Sequence, residues 1–272
     1  EKMLTIIGPG YFSGENPGSN SQEAIIRNII LERTSGAGPN TGAAGSTIMG
    51  ISFTELSSSG IGVNVSNVTV KRNLFRGDIS IVGFDISNVI VMANFFQRIP
   101  VGFLSSNPGF NNFTFTNNIC GEDFRFPDNS SGMVEHNLFL DDSFTLIGFV
   151  GTVRSNIFAS IATSNFTLVT SPGNSTHNTG GNGQFGNTNN NNTVPVNTMF
   201  VGPGSTDGQY FPASPVLLNT AHDGTNRGPF GGICTYNLSG LGGVPYIEML
   251  SVPPVGTFGN PFIITVKAVS RP

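Results

Sequence analysis

The stretch "MVEHNLF", residues 133–139, decides the fold because it recurs. β-Favouring residues alternate, then come Asn, one apolar residue, and Phe or Cys. The same order returns in "VTVKRNLF" (68–75), "VIVMANFF" (89–96), "FTFTNNIC" (113–120) and "TVRSNIF" (152–158). The asparagines are Asn73, Asn94, Asn118, Asn137 and Asn156, in steps of 21, 24, 19 and 19 residues. A period near 20 means stacked supersecondary units rather than a globular sandwich. Strand, turn, strand, turn at this length fits one coil of a parallel β-helix. Leucine-rich repeats share the period, but their Leu-x-x-Leu-x-Leu spacing is absent.

Two columns follow from stacking these rungs. The Asn column is expected at the bend between strands, where Asn tolerates a left-handed backbone and its amide can bond its equivalents above and below. Phe75, Phe96, Cys120, Phe139 and Phe158 are expected to stack inward at the coil spacing of about 4.8 Å. Earlier coils continue the rhythm in "LTIIG" (4–8), "AIIRNIIL" (24–31) and "IMGISF" (48–53). Residues 171–197 are poor in apolar side chains and read as an excursion loop or irregular coil. Residues 1–232 therefore read as the solenoid. Residues 233–272 read as a β-hairpin with a long loop, which caps or extends the last coil.

Composition removes several function classes. Only 10% of the 272 residues are charged and the net charge is −4, so no basic patch exists to follow a nucleic acid backbone. No apolar run approaches the roughly 18–20 residues that span a bilayer, so no transmembrane segment is expected. Polarity comes from Asn, Ser, Thr and Gly rather than charge. Two cysteines in so long a chain make no disulfide framework, and Cys120 reads as a small buried apolar residue.

The sequence resembles secreted right-handed parallel β-helix proteins of the pectate-lyase-like superfamily, of the bacterial cell-surface type. "KMLTIIGPGYF" (2–12) looks like their entry coil and the Asn-x-Phe rungs like their middle coils. "FPASPVLLNTAHDGTNRGPFGG" (211–232) looks like their closing coil. The resemblance implies an all-β right-handed β-solenoid and a secreted or cell-surface location. It leaves function open, because this solenoid carries lyases, hydrolases, adhesins and inert stalks alike. The chain begins almost on the entry motif, which implies an uncovered first coil with an open β edge.

Chemistry-bearing residues are few. Alignment on Asn places Glu135 beside Arg154 on the next coil, an exposed cross-strand ion pair. His136 falls between Asn117 and Ser155, with no second His or Cys in the same column to build a metal site. Asp141 and Asp142, Glu122 and Asp123, and Asp78 fall at similar offsets after their asparagines, with Arg125 close by. Such a cluster is the candidate ligand or calcium site; otherwise no cofactor is expected. Three functions are consistent with these residues. One is a non-enzymatic extracellular structural or adhesive solenoid, associating with itself through its ends and residues 244–272. Another is a surface glycan-binding protein with a lateral groove. The last is a polysaccharide lyase or glycoside hydrolase using the acidic cluster.

Overall fold

Each rung of the repeat ends one strand and starts another with two residues between them. In the computed structural model, Thr69–Lys71 is followed by Leu74–Phe75, Ile90–Met92 by Phe95–Phe96, Phe113–Thr116 by Ile119–Cys120, and Ser131–Glu135 by Leu138–Phe139. The structure describes residues 2–12, 22–54, 60–76, 79–81, 85–97, 110–121, 124–126, 129–140, 144–159, 166–170, 175–180, 190, 198–202, 206–240, 246–251 and 265–269.

The first strands of successive rungs form one parallel sheet, which begins with Thr5–Ile7 and Thr47–Met49 and runs to Phe144–Arg154. The second strands form another, from Ile25–Ile26 through Ser52–Phe53 to Ile157–Phe158. Ile29–Leu31, Ile61–Val63 and Ile79–Ile81 make a third parallel face. In later coils Phe124–Arg125, the start of Phe144–Arg154, and Phe166–Thr170 also pair in parallel. The chain is an all-β parallel β-solenoid. Tyr246–Ser251 and Thr265–Val269 pair antiparallel as a hairpin.

Alternation along each strand sets the interior. In the first sheet Ile48, Val70, Val91, Phe115, Val134 and Val153 lie in register and are buried, while their sequence neighbours face outward. In the second sheet Phe53, Phe75 and Phe96 stack nearly parallel, with ring centroids 4.9 and 5.0 Å apart. Phe139 and Phe158 repeat this at 5.0 Å. Cys120 interrupts the column, and Phe124 from the next face fills the gap, 5.7 Å from Phe96 and 5.8 Å from Phe139. Each buried ring contributes about 2–3 kcal/mol of hydrophobic stabilisation.

The corner between the two sheets divides its work differently from the sequence expectation. The left-handed backbone belongs to the residue before each ladder Asn: Arg72, Ala93, Asn117, His136, Ser155 and His177 all have φ between 52° and 57°. That residue makes the sharp turn. The Asn after it points inward and is fully buried. Its Nδ2 donates to the Oδ1 of the next Asn, at 3.1 Å from Asn73 to Asn94, 3.0 Å from Asn94 to Asn118, 3.1 Å from Asn118 to Asn137 and 3.0 Å from Asn137 to Asn156.

The ladder runs one step further than the rungs of the sequence, from Asn156 Nδ2 to Asn178 Oδ1 at 3.1 Å. Ser175–Thr176 pairs with Val153–Arg154, so residues 175–180 belong to a coil, the second of the two expected readings. The parallel pairing and Asn178 hold this rung despite its low apolar content.

The stretch resembling a closing coil does not form one. Residues 206–240 contain turns and short 3-10 segments, and they lie as a strap along the outside of the second sheet. Leu217, Tyr236 and, just before the strap, Met199 pack with Leu74, Phe95, Ile119, Leu138 and Ile157, a second core on the outer face of that sheet. At one end Gly228 N–H donates to the Ser155 carbonyl at 2.8 Å. At the other Tyr11 N–H donates to the Ser239 carbonyl at 2.8 Å, and the Tyr11 and Tyr236 hydroxyls hydrogen-bond each other. The strap therefore ties late coils to the first.

Candidate functional site

The left-handed corner column turns its side chains outward, and the strap crosses over part of it. Asn117 is buried beneath the strap, and its Nδ2 donates to the carbonyls of Pro229 at 2.9 Å and Gly231 at 2.7 Å. One coil further, Gly231 and Gly232 lie flat against the His136 ring. A Cβ on Gly231 would sit 2.9 Å from His136 Nδ1 and 1.7 Å from the Asn226 carbonyl oxygen. His136 is left 3% exposed.

Ser155, the next in the column, holds His222 of the strap. Its Oγ lies 2.8 Å from His222 Nδ1 and accepts the His222 backbone N–H at 3.1 Å. The His222 ring centroid is 5.4 Å from that of His136 and 6.4 Å from that of His177. All three histidines of the chain thus meet at one place. Asp223 completes the group. Its Oδ1 accepts from the Thr225 N–H at 3.1 Å and hydroxyl at 2.7 Å, while Oδ2 stands 3.4 Å from His136 Nε2. Potential ligand atoms of His136, His222 and Asp223 all lie within 4.8 Å of one another. Arg227 borders the site, donating through Nη1 to the Asn178 carbonyl at 2.8 Å and Thr179 Oγ1 at 3.1 Å.

The electrostatics favour neutral His136 and His177 and an ionised Asp223. Burial pushes the His136 pKa below its ordinary value, against the opposing pull of Asp223. Burial, with Arg227 next, lowers His177. For Asp223 burial acts upward, but the Thr225 hydrogen bonds and the two imidazoles outweigh it and hold the carboxyl below its usual range. Burial lowers Arg227 to about 10, so the guanidinium stays charged at neutral pH.

The sequence expectation for His136 is therefore corrected. His177 shares its column, one coil beyond Ser155, and the strap supplies His222 and Asp223. The "HN" pair in "STHNTGG" (175–181), repeating that of "VEHNLF" (134–139), was the available signal for His177. Nothing in spacing pointed to His222, because the strap's path is a tertiary feature. Glu135 and Arg154 are register partners and form an ion pair. Glu135 is 7% exposed, however, so the pair is half-covered rather than a solvated surface bridge.

Asp78, Glu122, Asp123, Asp141 and Asp142 lie outside the described residues. Arg125 ends the short strand Phe124–Arg125. Cys120 is buried in the aromatic column and burial raises its pKa well above the ordinary thiol value, which makes it inert. Cys234 is exposed. No described helix is long and apolar enough to cross a membrane. No family model, curated protein or solved structure matches this chain.

Proposed function

We propose that this chain is a non-enzymatic structural solenoid of the extracellular surface that associates with itself through its ends. The observation that carries the reading is the first coil. Among the described residues, Thr5–Ile7 is paired only with Thr47–Met49, and Ile25–Ile26 only with Ser52–Phe53. Met3, Leu4, Ile7, Ile25 and Ile30 of this coil are all exposed. Unpaired among the described residues and beside exposed apolar side chains, this parallel edge is a template for another strand. The hairpin of Tyr246–Ser251 and Thr265–Val269 is the second segment assigned to association. The amide-rich, charge-poor surface suits a secreted stalk or adhesin more than an enzyme.

The test is the association state of the purified chain. Concentration-dependent oligomers or filaments are expected by sedimentation velocity and electron microscopy. The triple variant Ile7→Lys, Ile25→Lys, Ile30→Lys should abolish them. A wild-type chain that stays monomeric as its concentration rises would remove the proposal.

A further inference from the structure

We propose that His136, His222 and Asp223 bind a divalent transition metal of the zinc class, with water in the remaining position. The bound ion would fasten the strap to the flank of the solenoid. Nothing in the structural role above requires this site, and the inference stands independently of it.

The observation that points to a ligand is His136. It is almost wholly buried, yet neither ring nitrogen makes a well-formed hydrogen bond: the Asn226 carbonyl approaches the ring and Asp223 Oδ2 stands 3.4 Å from Nε2. A buried imidazole without a well-formed hydrogen bond is costly and calls for an explanation. The Asn226 carbonyl lies on the Nδ1 side of the ring and favours a proton there. That leaves the Nε2 lone pair facing Asp223 Oδ2 across 3.4 Å. Two acceptors at that distance repel unless a proton or a metal ion stands between them. A tetrahedral zinc ion with bonds of about 2.0–2.1 Å places its ligand atoms roughly 3.3 Å apart, which is the separation observed.

The third ligand has the surroundings that metal-bound histidines show. Ser155 Oγ engages His222 Nδ1 at 2.8 Å, which orients the ring and leaves Nε2 to bind. Thr225 does the same for Asp223 by occupying Oδ1 and leaving Oδ2 directed at His136. His222 is only partly buried, and one potential ligand atom from each of the three residues lies within 4.8 Å of the others. Two imidazoles and one carboxylate suit zinc, copper or nickel, whereas calcium and magnesium prefer all-oxygen sites.

The ligands come from both sides of a tertiary contact. His136 belongs to a coil corner, and His222 and Asp223 belong to the strap. Metal binding is thus linked to docking of the strap, and an ion that binds only the docked form stabilises it.

The experiment uses the full chain without an affinity tag, stripped with a chelator and titrated with zinc chloride. One zinc per chain is expected by calorimetry. The melting temperature should rise with zinc, and limited proteolysis within residues 206–240 should slow. His136→Asn is the first variant, because Asn already serves the equivalent left-handed position at 117. It should weaken zinc binding by about a hundredfold or more, and Ser155→Ala by about tenfold. Asp223→Asn, at an exposed position, keeps the test valid if His136→Asn fails to fold. Cobalt substitution should give the intense visible absorption of a tetrahedral site. A wild-type chain whose melting temperature ignores zinc would overturn the proposal. So would zinc affinity unchanged in His136→Asn and Asp223→Asn, since the ion would then bind elsewhere.

Discussion

Among the described residues the solenoid has two asparagine columns at two corners, and they work in opposite ways. The inner one, Asn73 to Asn178, is buried, and its members lack the left-handed backbone. The outer one comprises Asn67, Asn88 and Asn112, with φ of 62°, 56° and 54° and exposed side chains. They too form an amide ladder, from Asn88 Nδ2 to Asn67 Oδ1 at 2.9 Å and from Asn112 Nδ2 to Asn88 Oδ1 at 2.7 Å. At the outer corner one residue supplies both the turn and the side-chain bond. At the inner corner these tasks fall to two successive residues. The lesson is that division of labour frees a position. Once the inward Asn carries the hydrogen bonds, the residue before it need only tolerate the left-handed turn. Arg, Ala, Asn, His and Ser all appear there. That freed column is where His136 and His177 stand.

The comparison breaks most visibly at Asn118. Its Oδ1 accepts from the Asn94 backbone and amide, and its Nδ2 donates to the Val91 carbonyl and to Asn137 Oδ1. Asn118→Ala strands these partners in the interior and should cost about 4 kcal/mol in chemical denaturation. A loss below about 1 kcal/mol would mean the inner ladder is dispensable.

Next is the interruption of the aromatic column. Cys120→Phe adds a ring where Phe124 already sits, and overpacking should cost about 1–3 kcal/mol. Stabilisation instead would show that Phe124 leaves room.

The outer corner should respond to backbone rather than side chain. Asn88→Val places a β-branched residue in left-handed space and should cost about 1–2 kcal/mol. Asn88→Gly keeps the turn, loses only an exposed amide bond, and should fall within about 0.5 kcal/mol of wild type. Equal costs for the two would erase the distinction drawn here.

The smallest effect is a pH dependence confined to the freed column. Because the folded state lowers the pKa of His136, the unfolded chain binds more protons below the ordinary value of 6.5. With chelator present, stability should therefore be full above 6.5 and decline as pH falls from there toward the lower folded value. His177 acts in the same direction. Melting curves from pH 8 to 5 test this, and His136→Asn should flatten the profile. A wild-type chain more stable at pH 5 than at pH 7 would contradict the burial argument.

Much of the scaffold was legible in the sequence, and the reason is local. Strand alternation, Asn and Phe recur at fixed offsets, and a solenoid coil contacts mainly its neighbours, so a period in sequence becomes a column in space. That reasoning placed Glu135 beside Arg154. It assigned the left-handed turn to each ladder Asn rather than to the residue before it, because spacing alone does not say which of two adjacent residues faces inward. It ended the ladder at Asn156, because the weak apolar pattern around Asn178 hid a coil held by hydrogen bonds.

The sequence by itself determined the repeat, the parallel stacking and the identity of the buried columns. Only the tertiary structure decided that residues 206–240 run along the flank instead of closing a coil. The physical reason is that the strap is held by contacts that no periodicity encodes. The Asn117 amide reaches the Pro229 and Gly231 carbonyls, the Ser155 carbonyl meets the Gly228 N–H, and Tyr11 meets Tyr236 across 225 residues of chain. Those contacts, and not sequence proximity, bring His222 and Asp223 to His136.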